Sequence, residues 1–129
     1  MSAINKLKTI MESMDFFMAK IHDLEKDHDE MVKEFRTIAS NPLVYPKPLK
    51  RKVFERLEKI HKELIALHFK QKSDFRDNQR VINKDLAKYI DPILKESMLE
   101  KISDCSDTFQ SCIDLKERSM DSIRELNNI

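Results

Sequence analysis

A chain of 129 residues is the size of one domain, able to bury roughly two thirds of its unfolded surface in a single core. Charged residues make up 36% and hydrophobic ones 40%, and glycine is absent altogether. This is helical-bundle chemistry, and it excludes phosphate cradles, dinucleotide-binding turns and nucleophile elbows, each of which needs a backbone without a Cβ near the ligand.

The first predicted helix runs from Ser2, an N-cap, to Ala39, where Ser40-Asn41-Pro42 ends it. Ile4, Leu7, Met11, Met14, Met18 and Ile21 follow a three-four alternation, the signature of a helix with one apolar seam. Beyond Ile21 the seam continues either through Glu25, His28, Val32 and Phe35 or, with fewer polar groups inside, through Leu24, His28, Met31, Phe35 and Ile38, a course that needs one short three-residue step. Without glycine, the helix ends are expected to close on asparagine.

Residues 41–48 form the one clear loop, stiffened by Pro42, Pro46 and Pro48. Helix two is predicted over 49–90, with Val53, Leu57, Ile60, Leu64 and Leu67 on one stripe. The stripe continues through Gln71, Phe75, Asn78, Ile82, Leu86 and Tyr89, with a polar middle where a break at Ser73-Asp74 is the alternative to continuity. Asp91-Pro92 then caps and opens helix three, predicted over 92–127, with Ile102, Cys105, Phe109, Cys112 or Ile113, Met120 and Ile123 facing inward.

Three long helices and short connections make a single domain over 1–129, an elongated antiparallel three-helix bundle of spectrin- or BAG-like shape. Residues 47–72 hold nine Lys/Arg against three Glu, while 12–34 and 96–125 each hold eight acids against three and four cations. Cross-helix ion pairs between a basic middle helix and two acidic neighbours are therefore expected. Cys105 and Cys112, seven residues apart on one helix, lie about 10 Å apart along the axis, too far for a disulfide. Reduced buried thiols and the lack of any long apolar run or secretory signal point to a cytoplasmic or nuclear protein with no membrane association.

Two Glu-x-x-His motifs, Glu25–His28 and Glu58–His61, have the spacing used by carboxylate-bridged metal bundles. A metal-binding bundle is the alternative from a different functional class, although no metal or other cofactor is expected. His61 and His68 read as boundary residues whose polar edges reach solvent. No residue set has the character of an active site, and the expectation is a non-enzymatic interaction or assembly module, an adaptor or scaffold.

Three features would serve such a module. Lys50, Arg51 and Lys52 crowd the start of helix two, where the helix dipole favours anions, beside Tyr45 and Phe54. This basic-aromatic corner suits an acidic segment of a protein partner. Phe16 and Phe17 widen the apolar arc of helix one beyond one core face, a surface for the third helix of the same bundle or else for a partner's amphipathic helix or a homodimer. Nucleic acid is not expected, because no aromatic residues interleave the basic ones and the rest of the surface is acidic.

The stretch Asn83-Lys84-Asp85-Leu86-Ala87-Lys88-Tyr89-Ile90-Asp91 is similar to the Arg-Lys-x-Leu-Val-x-x-Ile-Gln segment of the BAG co-chaperone domain. That resemblance covers nine of 129 residues and implies a three-helix bundle that binds an Hsp70. Asn83 and Asp91 stand where that family has its contact-making Arg and Gln, and Pro92 follows.

Overall fold

The structure, a computed structural model, describes residues 3–41, 43, 47–89 and 91–128, with side-chain surroundings for 5–41, 43, 47–84 and 91–128. Helix α1 spans Ala3–Ala39, α2 Lys47–Tyr89 and α3 Pro92–Asn127, and each packs against the other two. No strand occurs among the described residues. At 1.5 Å per residue the helices are about 55–65 Å long. Antiparallel α1 and α2 are joined by Lys20–Glu63, and α3 returns parallel to α1, as Lys101–Asp15, Arg118–Asp29 and Arg36–Glu125 show. The all-α three-helix bundle is the observed fold.

Helix ends close without glycine. Asp91 accepts a hydrogen bond from the Ile93 amide at 3.1 Å, with Pro92 in the first turn. Asn41 Nδ2 donates to the Thr37 carbonyl at 2.8 Å and Asn128 Nδ2 to the Arg124 carbonyl at 3.1 Å. Asparagine thus serves the last carbonyls through its side-chain amide, and no described residue has a positive φ. The Ser2 cap lies outside the described residues, as do the side chains of Ile4, Leu86 and Tyr89. Helix α2 is continuous through Ser73-Asp74, so the alternative break does not form.

The seam of α1 differs from the expected one in its first half. Its inward residues are Leu7, Ile10, Met14, Phe17, Ile21, Leu24, His28, Phe35 and Ile38. With half-buried Met31 these keep an unbroken three-four alternation, so no short step is needed. Met11 and Met18 sit beside the seam, where the flexible thioether covers its edge. On α2 the exposed Phe75 leaves its expected place to half-buried Asp74. On α3 every seventh residue, Met98, Cys105, Cys112, Ser119 and Leu126, is at most 1% exposed. Small side chains in the middle of that row admit larger polar groups from α2. Gln71 donates to Cys105 Sγ at 3.5 Å, and His61 pairs with Ser119.

The core forms two clusters. The larger gathers Leu7 through Leu24, Ile60, Leu64, Ile82 and the α3 residues Met98 to Leu115. The smaller holds Phe35, Ile38, Val53, Leu57 and Leu126 at the end where α1 stops, α2 starts and α3 stops. At their junction stand three buried polar residues, His28, His61 and Ser119. His61 is 7% exposed, a core residue rather than a boundary one.

The ion pairs depart from expectation. Three of the four between Lys or Arg and a carboxylate join α1 to α3, and in the fourth α2 supplies the acid, Glu63. Among the described residues no cation of α2 pairs with an acid of either neighbour. The reason is placement: Arg51, Lys52, Arg56, Lys59, Lys62, Lys70 and Lys72 all lie on its solvent side.

Candidate functional site

A groove lies over the smaller cluster. Lys47, Lys50, Arg51, Phe54, Glu55 and Glu58 line it from α2, Phe35 from α1, and Leu126 and Asn127 from α3, enclosing a groove of about 540 Å³. Spacings of three and four residues put the α2 members on one stripe of the helix. Phe35, 1% exposed, forms the floor, and the Phe54 ring packs against it with centroids 6.1 Å apart. Lys50 Nζ stands 5.5 Å from the Phe35 centroid, a cation–π contact that holds its charge at the groove's edge. A second shallow groove, lined by Lys47, Pro48, Arg51, Lys52 and Glu55, continues around the start of α2.

Of the expected site residues, Lys50, Arg51 and Phe54 come together in the first groove and Lys52 in the adjoining one. Tyr45 lies outside the described residues. The phenylalanine pair divides. Phe16 is 65% exposed, whereas Phe17 is 3% exposed and packs on Phe109 at 6.5 Å, which corrects the expectation that both face a partner. Phe35, Leu126 and Asn127 were missed as site residues. Their signal was topological: in an up-down-up bundle the ends of α1 and α3 meet the start of α2.

The histidine motifs belong to the core junction. Ser119 Oγ lies within hydrogen-bond reach of His61 Nδ1 and, at 2.9 Å, of the Lys116 carbonyl. Burial, and then the nearby Lys116 charge, hold His61 below its ordinary pKa of 6.5. His28 Nδ1 donates to Asp29 Oδ1 at 3.0 Å, and Asp29 also accepts from Arg118 at 2.9 Å. Neither Nε2 has a partner among the described residues. Glu58 lines the groove instead, and no three His, Cys, Asp or Glu among the described residues gather as a metal-ligand set. Cys105 and Cys112 are buried free thiols; burial, and then Asp15, push Cys105 up to about 11. No described helix is long and apolar enough to cross a membrane.

The BAG-like stretch straddles the end of α2 and the cap of α3, since Tyr89 is the last residue of one and Asp91 the N-cap of the other. Comparison of the chain with protein-family models, with curated proteins and with solved structures finds no match.

Proposed function

We propose that this protein is a non-enzymatic interaction module, an adaptor or scaffold of the cytoplasm or nucleus, that binds a protein partner at the start of α2. The observation that carries this reading is the groove's construction, an apolar floor of Phe35, Phe54 and Leu126 beneath Lys47, Lys50 and Arg51. Cations that form no ion pair among the described residues, at the end of a helix whose dipole opposes them, forgo roughly 0.3–1 kcal/mol each. A binding role supplies a reason for that placement. The apolar floor supplies affinity, and the cations supply steering and selection of an acidic segment.

Replacing Lys50, Arg51 and Lys52 together by glutamine tests this. The helical circular dichroism and the melting temperature should hold or rise slightly, while proteins captured by the parent at low salt should be lost, and raised salt should mimic the loss. Capture by the triple variant equal to the parent's would reduce the cations to a solvated cluster.

A further inference from the structure

Along α2 the lining residues run Lys47, Lys50 and Arg51, then Phe54, then Glu55 and Glu58. At 1.5 Å per residue this covers about 16 Å, the reach of about five residues of extended peptide. The stripe therefore presents positive charge at the helix start, an aromatic floor in the middle, and negative charge at the far end. Glu55 and Glu58 form no ion pair among the described residues, although Arg51 and Lys62 stand four positions away from them. Neither the cations at one end of the groove nor the glutamates at the other form an ion pair among the described residues.

Resting on the functional reading above, we infer that the groove takes a charge-polarised segment of a partner: acidic residues against Lys47 and Arg51, a large apolar side chain over Phe35 and Phe54, and a basic residue against Glu55 or Glu58. Charge complementarity selects this occupant over a uniformly acidic one. A run of acids long enough to fill the groove would set like charges against Glu58, which weakens binding and blurs register. It also fixes the direction of the charge order, acidic end toward the loop.

The test uses the full chain, isotope-labelled, titrated with two synthetic peptides and followed by NMR. One peptide reads Asp-Glu-Leu-Trp-Arg-Lys and the other Asp-Glu-Leu-Trp-Asp-Glu. The polarised peptide should bind at least fivefold more tightly and shift the amides around Phe54, Glu58 and Leu126. In a Glu55→Lys/Glu58→Lys variant that keeps its helical signal, the preference should reverse. If the uniformly acidic peptide binds native protein as well or better, the charge order carries no selectivity and this inference fails, while the binding-module reading stands. If neither peptide shifts the groove and the Lys50/Arg51/Lys52 glutamine variant also captures partners normally, both fail together.

Discussion

The two clusters that form the core can be compared directly, because the same three helices build both. The larger contains thirteen buried residues and runs most of the bundle's length, with Leu64, Cys112 and Leu115 at 0% exposure. The smaller contains five, lies where all three helices end, and carries the groove on its surface. Half-buried Met31 packs against both, while His28, His61 and Ser119 mark the join. A buried hydrogen bond between helices adds little to stability but disfavours shifted registers, because a slip would strand the His61–Ser119 pair in an apolar layer. The larger cluster thus holds the fold, and the polar junction keeps the groove in register with it.

The sharpest probe of that division is one chemical change made in each cluster. Leu57 and Leu64 are both 0% exposed on α2. Leu→Ala in a core costs about 2–5 kcal/mol, less where the surroundings can collapse. Leu64→Ala should fall near the upper end and Leu57→Ala near the lower, measured by urea unfolding, because helix ends relax more easily than a continuous seam. The reverse order would show that the end cluster is the stiffer one.

The junction itself comes next. Ser119→Ala leaves His61 Nδ1 buried without its hydrogen-bond partner and should cost about 1–3 kcal/mol. Pairing it with His61→Leu removes both polar groups and should recover most of that loss in the same unfolding measurement. No recovery would mean that the histidine packs for its shape alone.

Stability against pH should be bounded on both sides. His61 and His68 are held below 6.5 by burial and then by lysine charge, so below about 6.5 the unfolded chain binds more protons than the folded one. Their contribution is complete above that pH and is lost as pH falls through the folded values. Burial raises the thiols of Cys105 and Cys112, Cys105 to about 11, so their contribution is complete below the ordinary value of 9.0 and is lost as pH climbs toward 11. Melting temperatures should plateau between about 6.5 and 9, and Cys105→Ser with Cys112→Ser should flatten the alkaline limb. An unchanged alkaline limb in that variant would assign it to other groups.

The smallest effect belongs to the α1–α3 ion pairs, whose partners are mostly half exposed. Arg118→Gln removes a pair of the kind worth about 0.2–1 kcal/mol. A larger loss would show that Asp29 needs Arg118 to hold the buried His28.

The three helices, the proline-bounded loop and the Asp91-Pro92 cap were legible because each rests on local chemistry: periodicity, a fixed φ, a side chain that accepts the first free amides. The first half of the α1 seam was not. Ile10-Met11 and Phe17-Met18 are adjacent apolar pairs, and which member turns inward is decided by packing between helices rather than by local chemistry. The ion pairs were misread for a related reason. Net charge per segment says nothing about which side of α2 its lysines occupy. At the groove, the cations and Phe54 were readable from one helix, whereas Phe35, Leu126 and Asn127 join them only through the third dimension.

Partners are expected to meet the end cluster rather than the long seam. A photoreactive benzophenone side chain placed at Asn127, exposed and lining the groove, can be set against the same group at Phe69, exposed on α2 beside the larger cluster. Irradiation should give a covalent adduct with a partner protein from position 127, and that adduct should disappear when Lys50, Arg51 and Lys52 are glutamine. Adducts from position 69 with none from position 127 would place the binding surface on the long seam and contradict the account.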